Sequence, residues 1–481
     1  MELISSLLRN ALDTVEVDKL SAFANALILI DAFAIVQIRG GKLLIFFQPK
    51  MTIFGVFNKR RRMTLFTIIA ILIILCAAFA FINERFIKLP ETIGATLLSV
   101  AISIVILVAN QMSYNIMTAI TSIAQKIDFP NILLNIMLGF LLFATALRFD
   151  YAQLRKLRRP MLVMSTISVV ISAFVFSGLF YWLTSLLHIN VPFIYCLLLG
   201  ALISPTDSVA VGALLHKTKV SQSLQTLIAG ESMFNDGFGL IFFVTVFELT
   251  RQSGYGISFS GVFDIFIHEV VDGILIGAAF GILCSRLIKF SSTHQTMFLI
   301  SIATVLSISL VAQKLHASIP LAAVVAGLIV GNGHLKKQET GNRFLTEIWQ
   351  LLDEVLNIIL FVLMGLQLVL MPFLKNYWLI GLLSIIVILI GRFLSVFLPT
   401  HIVLHRKRAN LGNLFILTWA GLRGGISVAM ALSLPDSPYR EIILSCCYFM
   451  VLFSIIVQGL TLSKVADAIT SRRRRGFIQR K

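Results

Sequence analysis

Apolar residues in this chain run in long uninterrupted blocks, and the polar residues fall mostly in the short gaps between them. About 17–25 predominantly apolar residues make a helix long enough to cross a bilayer. Thirteen such stretches follow residue 63, at about 64–82, 93–110, 132–148, 161–187, 193–215, 224–249, 261–289, 296–314, 318–333, 350–371, 378–400, 411–433 and 442–463. Backbone in lipid must satisfy its own hydrogen bonds, so the pattern predicts an all-α polytopic membrane protein. No gap is long enough for a soluble domain; residues 63–465 read as one membrane domain and 466–481 as a short basic cytoplasmic tail.

Composition agrees. Of 481 residues, 58% are hydrophobic and 13% charged, with a mean hydropathy of +0.92; soluble domains run at roughly 45–50% apolar and about 25% charged. The net charge of +17 does not imply nucleic-acid binding, because the basic residues lie in short runs between apolar stretches: RKLRRP (155–160), HRKR (405–408) and RRRR (472–475). These runs follow odd-numbered stretches or form the tail, whereas the loops after even-numbered stretches hold single residues (Lys126, Arg251, Lys314, Lys375, Arg440). Cytoplasmic loops retain Lys and Arg, which places the C-terminus in the cytoplasm and makes the basic tail an anchor to anionic lipid. NKRRR (58–62), directly before the first stretch, then lies on the wrong side. Residues 1–62 are therefore an atypical N-terminal region, read either as an extension before a natural start at Met63 or, less well, as an added span at about 20–38 that would carry Asp31. The five cysteines show no metal or disulfide spacing, and His268 with Asp272 at i, i+4 reads as a packed polar contact.

Ionisable residues within spans are costly and mark function or pairing. Five lie deep: Asp207 on the fifth stretch, Glu231 and Asp236 on the sixth, Arg392 on the eleventh and Arg423 on the twelfth. Three acids against two arginines leave one negative charge, which one monovalent cation or one proton would neutralise. Desolvation favours the protonated form of a buried carboxyl, so proton and cation compete for it. Asp353 with Glu354 lies near a span end, where carboxylates reach water.

Two stretches also break. LLLGALISPTDSVAVGALL (197–215) carries Pro205, and FILTWAGLRGGISVAMALSL (415–434) carries Gly421, Gly424 and Gly425 around Arg423. Proline removes a backbone donor and glycine weakens a helix; paired breaks at corresponding positions mark the binding site of inverted-repeat transporters. The fifth and twelfth stretches correspond if stretches one to six and eight to thirteen form two inverted six-helix repeats. The broken helices then cross, with Asp207 against positive helix N-termini and Arg423 against negative C-terminal ends.

With SPTDSVAV (204–211), GESMFNDG (230–237), GRFLSVFLP (391–399) and WAGLRGGISVAMALSLP (419–435) in this order, the chain from about 64 to 463 resembles the NhaP-type sodium/proton antiporters of the monovalent cation/proton antiporter-1 family, relatives of the animal exchangers. The resemblance implies a secondary active transporter, not an enzyme, of the plasma membrane, the inner membrane in a bacterium. It implies exchange of Na⁺ or Li⁺ for H⁺ at Asp236, with Asn235 as the orienting amide, and electroneutral 1:1 exchange where the electrogenic branch has a second aspartate. Ser232, Thr206 and Asp207 become further oxygen ligands, and Glu231 becomes the structural partner of Arg392. The i, i+4 spacings of Glu231 with Asn235 and of Ser232 with Asp236 allow two adjacent faces to serve two tasks. Some relatives carry a glutamate where this chain has Ala144. The resemblance further implies a homodimer with an elevator-like moving core, and no cofactor. The alternatives are K⁺/H⁺ exchange on the same fold, or a membrane sensor or hydrolase; no GxSxG or HExxH constellation and no soluble output domain speaks for the latter.

Overall fold

A computed structural model of the chain describes residues 35–39, 42–46, 65–110, 128–149, 151–207, 211, 218, 220–251, 259–291, 293–333, 339–371, 376–402 and 411–478. Two units are described separately, Met1–Thr67 and Ile68–Lys481. The first holds an antiparallel hairpin, β1 (Ile35–Arg39) and β2 (Lys42–Phe46), with Ile35 opposite Phe46 and Arg39 opposite Lys42. Residues 35–38 are thus strand, which removes the C-terminal end of the alternative span at 20–38. Met63 and NKRRR lie outside the described residues.

From residue 65 onward the described residues are helical apart from connections. In chain order they form α1 (Leu65–Ile82), α2 (Glu91–Asn110), α3 (Phe129–Arg148), α4 (Tyr151–Ser165), α5 (Ile167–Leu186), α6 (Phe193–Ile203), α7 (Gln222–Arg251), α8 (Phe259–Phe290), α9 (His294–Lys314), α10 (Ile319–Asn332), α11 (Glu339–Leu366), α12 (Trp378–Ile402), α13 (Leu411–Trp419), α14 (Gly425–Leu432), α15 (Arg440–Phe453) and α16 (Gly459–Ile478). Ten helical segments among the described residues are long and apolar enough to cross a membrane. The other three predicted stretches hold the shorter α6 and α10 and the pair α13 and α14. The chain is an integral membrane protein.

Local chemistry sets several helix ends. Asp128 accepts from the Asn131 amide at 3.3 Å and Pro130 occupies the first turn of α3; Ser318 accepts from the Leu321 amide at 3.3 Å ahead of Pro320 in α10. Side-chain caps satisfy amides that a first turn leaves without carbonyls, and proline fits there because it lacks the donor. Among the described residues, wide π-turns interrupt two spans, at Leu133–Met137 and Ser454–Gln458, and a third closes the first span at Asn83–Ile87. The sequence pattern gave no sign of them, since one extra residue per turn leaves an apolar run apolar.

Two apolar cores organise the membrane unit. One gathers residues of α2, α5, α6 and α12 to α15; the other gathers α3, α8, α9 and α10 with Leu345 and Trp349 of α11. Helix α10 lies between α3 and α8. Gly277 and Gly281 of α8 are closed against Ala322 and Ala326, and Gly327 and Gly331 of α10 against the α3 backbone at Phe143 and Leu147. The small-residue motifs GAAFG (277–281) and GLIVG (327–331) therefore serve packing within the chain, where a missing Cβ lets backbones approach.

Candidate transport site

The fifth stretch leaves helical geometry where Pro205 predicts. Helix α6 ends at Ile203, residues 204–207 continue without helix, and residues 208–210 lie outside the description. The twelfth stretch breaks between Trp419 and Gly425, with Gly424 in extended backbone at φ −126° and ψ −164°. The breaks meet: the Asp207 amide donates to the Leu422 carbonyl at 2.8 Å. Backbone groups freed by one break are thus satisfied in part by the other, as a non-aqueous surrounding requires.

Arg423 closes the crossing. It is 2% exposed. Its Nη1 donates to the Pro205 carbonyl at 2.8 Å and also to the Ser204 carbonyl, so the cation sits at the negative C-terminal end of α6. Its own amide donates to Ser454 Oγ at 2.8 Å, and that hydroxyl in turn donates to Gln458 Oε1 at 2.7 Å. The π-turn at 454–458 therefore supplies a side-chain clamp for the broken twelfth stretch. Sequence reasoning missed Ser454 and Gln458.

The acids divide between partners. Glu231 on α7 meets Arg392 Nη2 on α12 at 2.6 Å, with both side chains buried. Asp236, one and a half turns further along α7, is 4% exposed, and its Oδ1 has no hydrogen-bond partner among the described residues. Asp207 lies against Gly424, where a Cβ would run into its carboxylate; the absent side chain lets the α14 N-terminus approach the acid.

Between these groups lies a cavity of about 30 Å³, lined by Asp236, Thr206 and Asp207, by Gly424, Gly425 and Ser427 of the second break, and by Thr145 of α3 and Asn357 of α11. A site of that size holds one or two water-sized species. Ser232 and Asn235 stand behind it and hold Thr206: its hydroxyl lies 2.9 Å from Ser232 Oγ and accepts from Asn235 Nδ2 at 3.1 Å. Ala144 is buried in the α3 core and does not line the cavity.

One reading from the sequence is overturned. Asp353 does not reach water; it is 4% exposed and paired with Arg148 of α3, while its neighbour Glu354 is exposed as expected. Helix α11 starts at Glu339, well ahead of the apolar stretch, and so carries Asp353 inside. Among the described residues, His268 and Asp272 are 3.9 Å apart on the surface of α8.

Broken helices bonded to each other around buried acids, within a bundle of membrane-spanning helices, define a polytopic membrane transporter rather than an enzyme. A family model described as the transmembrane sodium/hydrogen exchanger matches residues 18–468, a range that begins upstream of Met63. The chain belongs to that family. It is 38% identical over 413 residues to the Na⁺/H⁺ antiporter NhaP of Pseudomonas aeruginosa, covering 84% of this chain and 96% of that protein. It is 30% identical over 349 residues to the Na⁺/H⁺ antiporter NhaG of Bacillus atrophaeus, covering 71% of this chain and 64% of that one. Among solved structures, the sodium proton antiporter MjNhaP1 of Methanocaldococcus jannaschii superposes with a TM-score of 0.69 at 18% identity, covering 84% of this chain and 99% of that chain, a likeness of fold.

Proposed function

We propose that this chain exchanges Na⁺, or Li⁺, for H⁺ across the membrane, one for one, with Asp236 binding cation and proton in turn. The observation that carries the reading is the division of charges. Arg392 is committed to Glu231, Arg423 to two carbonyls, and Arg148 to Asp353. Among the described residues, Asp236 keeps an oxygen without a partner beside a small polar cavity. A carboxyl so placed is costly as an anion unless a proton or metal ion accompanies it.

Thr206 and Asp207 supply further oxygens, with Ser232 and Asn235 holding Thr206 in place; Pro205, Gly424 and Gly425 keep the backbone open around them. Glu231, Arg392 and Arg423 are structural. No cofactor takes part, because the driving force is the opposing ion gradient. The assembly reading is a homodimer in the plasma membrane, the bacterial inner membrane, with the C-terminus cytoplasmic.

The test is proton flux in proteoliposomes under an imposed pH gradient. Wild type should respond to Na⁺ and Li⁺, and Asp236→Asn should abolish the response; a wild type in which no alkali cation moves protons would refute the reading. The same cation series decides between Na⁺ and K⁺.

A further inference from the structure

The cavity has a second polar wall, built by helices outside the crossing. Asn357 of α11 lines it and is 3% exposed. Its Nδ2 donates to the Asp353 carbonyl at 2.7 Å and to Asp353 Oδ1 at 3.0 Å. Both partners are acceptors, so the amide can be oriented in one sense only, nitrogen toward Asp353 and oxygen away from it. Among the described residues no donor meets that Oδ1, and unlike Asp236 Oδ1 it is not sealed off from open space. The orienting carboxylate is itself fixed, since Arg148 Nη2 pairs with Asp353 Oδ2 while Arg148 Nε donates to the Ala144 carbonyl at 3.3 Å. A relay thus runs from Arg148 on α3 through Asp353 to Asn357 and ends at the cavity that holds Asp236.

We propose that Asn357 Oδ1 is a solvating oxygen for the transported cation, and that Arg148 and Asp353 are the pair that positions it. This rests on Asp236 being the transport site. A neutral amide oxygen can replace a water in the shell of a metal ion, yet it cannot take up a proton in the physiological range. It therefore biases the competition at Asp236 toward the cation and leaves the proton side alone. It also supplies an oxygen on the wall to which α3 contributes Thr145.

The experiment measures cation-dependent proton flux for the full chain in proteoliposomes with Na⁺ and Li⁺ as probes. Asn357→Ala should raise the half-saturating Na⁺ concentration by about tenfold, the scale of one lost ligand in a desolvated site. The maximal rate should stay within about twofold, with the pH profile at saturating Na⁺ unchanged. Arg148→Ala should raise half-saturation in the same direction, and the double variant should be no worse than Asn357→Ala alone, since both act through one oxygen. Asn357→Gln, which keeps the amide, should restore part of the affinity. A lowered maximal rate with unaltered half-saturation would reduce Asn357 to a packing contact between α3 and α11 and overturn the proposal. In detergent, stabilisation against heat by added Na⁺ should be weaker in the Ala variant than in wild type; equal stabilisation overturns it as well. Coupled flux that survives Asp236→Asn would sink the transport-site reading itself, whereas an inactive Asp236→Asn beside an Asn357→Ala of normal affinity sinks only this inference.

Discussion

Glu231 of α7 and Arg392 of α12 meet at 2.6 Å, both side chains buried. Each charge is tolerable there because of the other. Removing one partner leaves an uncompensated buried ion, which costs about 3–5 kcal/mol, while replacing both is often close to neutral. Arg392→Met and Glu231→Gln should each lower the unfolding midpoint in detergent markedly, and the double variant should recover most of the loss. A double variant as unstable as the worse single would mean that the pair does not carry the coupling.

Gly424 gives a second expectation. A Cβ at this position runs into the Asp207 carboxylate, and the backbone there is ordinary extended chain, so the penalty is steric. Overpacking of this kind costs about 1–3 kcal/mol. Gly424→Ala should therefore still fold, with modestly reduced stability, but should displace Asp207 and lose most cation-dependent flux. Full transport in Gly424→Ala would show that Asp207 need not stand where it does.

The role proposed for Arg423 is to support the crossing, not to bind the ion. Arg423→Leu leaves the Pro205 carbonyl without its donor and the Ser204 carbonyl with only the long 3.5 Å contact from Asn235 Nδ2 in a dry interior, about 1–3 kcal/mol for an unmet group. The expected result is a stability loss with little expressed protein, partly relieved by Arg423→Lys, which restores the charge but only one of the two contacts. Expression and melting temperature check this directly.

Parts of this site are legible in the chain and parts are not, for physical reasons. Pro205 and the glycines around Arg423 announce the breaks because they act on local backbone, and the buried acids announce themselves because lipid makes them expensive. Asp353 is different. The polar residues Glu339, Arg343, Glu347 and Glu354 dilute the start of α11, so the apolar stretch begins too late and leaves Asp353 looking terminal. A signal was available: Leu345, Trp349, Asp353, Asn357 and Phe361 recur at i, i+4, and all are buried, so the polar pair shares a face with core residues. The clamp from Ser454 to Arg423 had no comparable signal, because it depends on which helix passes the break.

The last expectation concerns pH and voltage together. If one carboxyl holds either a proton or a cation, each proton must leave before a cation binds. As pH falls through the range in which Asp236 takes up its proton, the half-saturating Na⁺ concentration should rise about tenfold per pH unit, and at higher pH it should become flat. A slope of two would require a second titrating group at the site, such as Asp207. One-for-one exchange moves no net charge, so clamping the membrane at 100 mV of either sign should leave the flux unchanged. Were one elementary charge carried across per cycle, the same potential would supply about 2.3 kcal/mol, enough to shift the balance of forward and reverse flux by roughly fiftyfold. Reading slope and voltage response in one preparation separates a single shared carboxyl from a two-acid electrogenic site, because the former gives unit slope with no voltage effect and the latter gives both a steeper slope and a voltage effect.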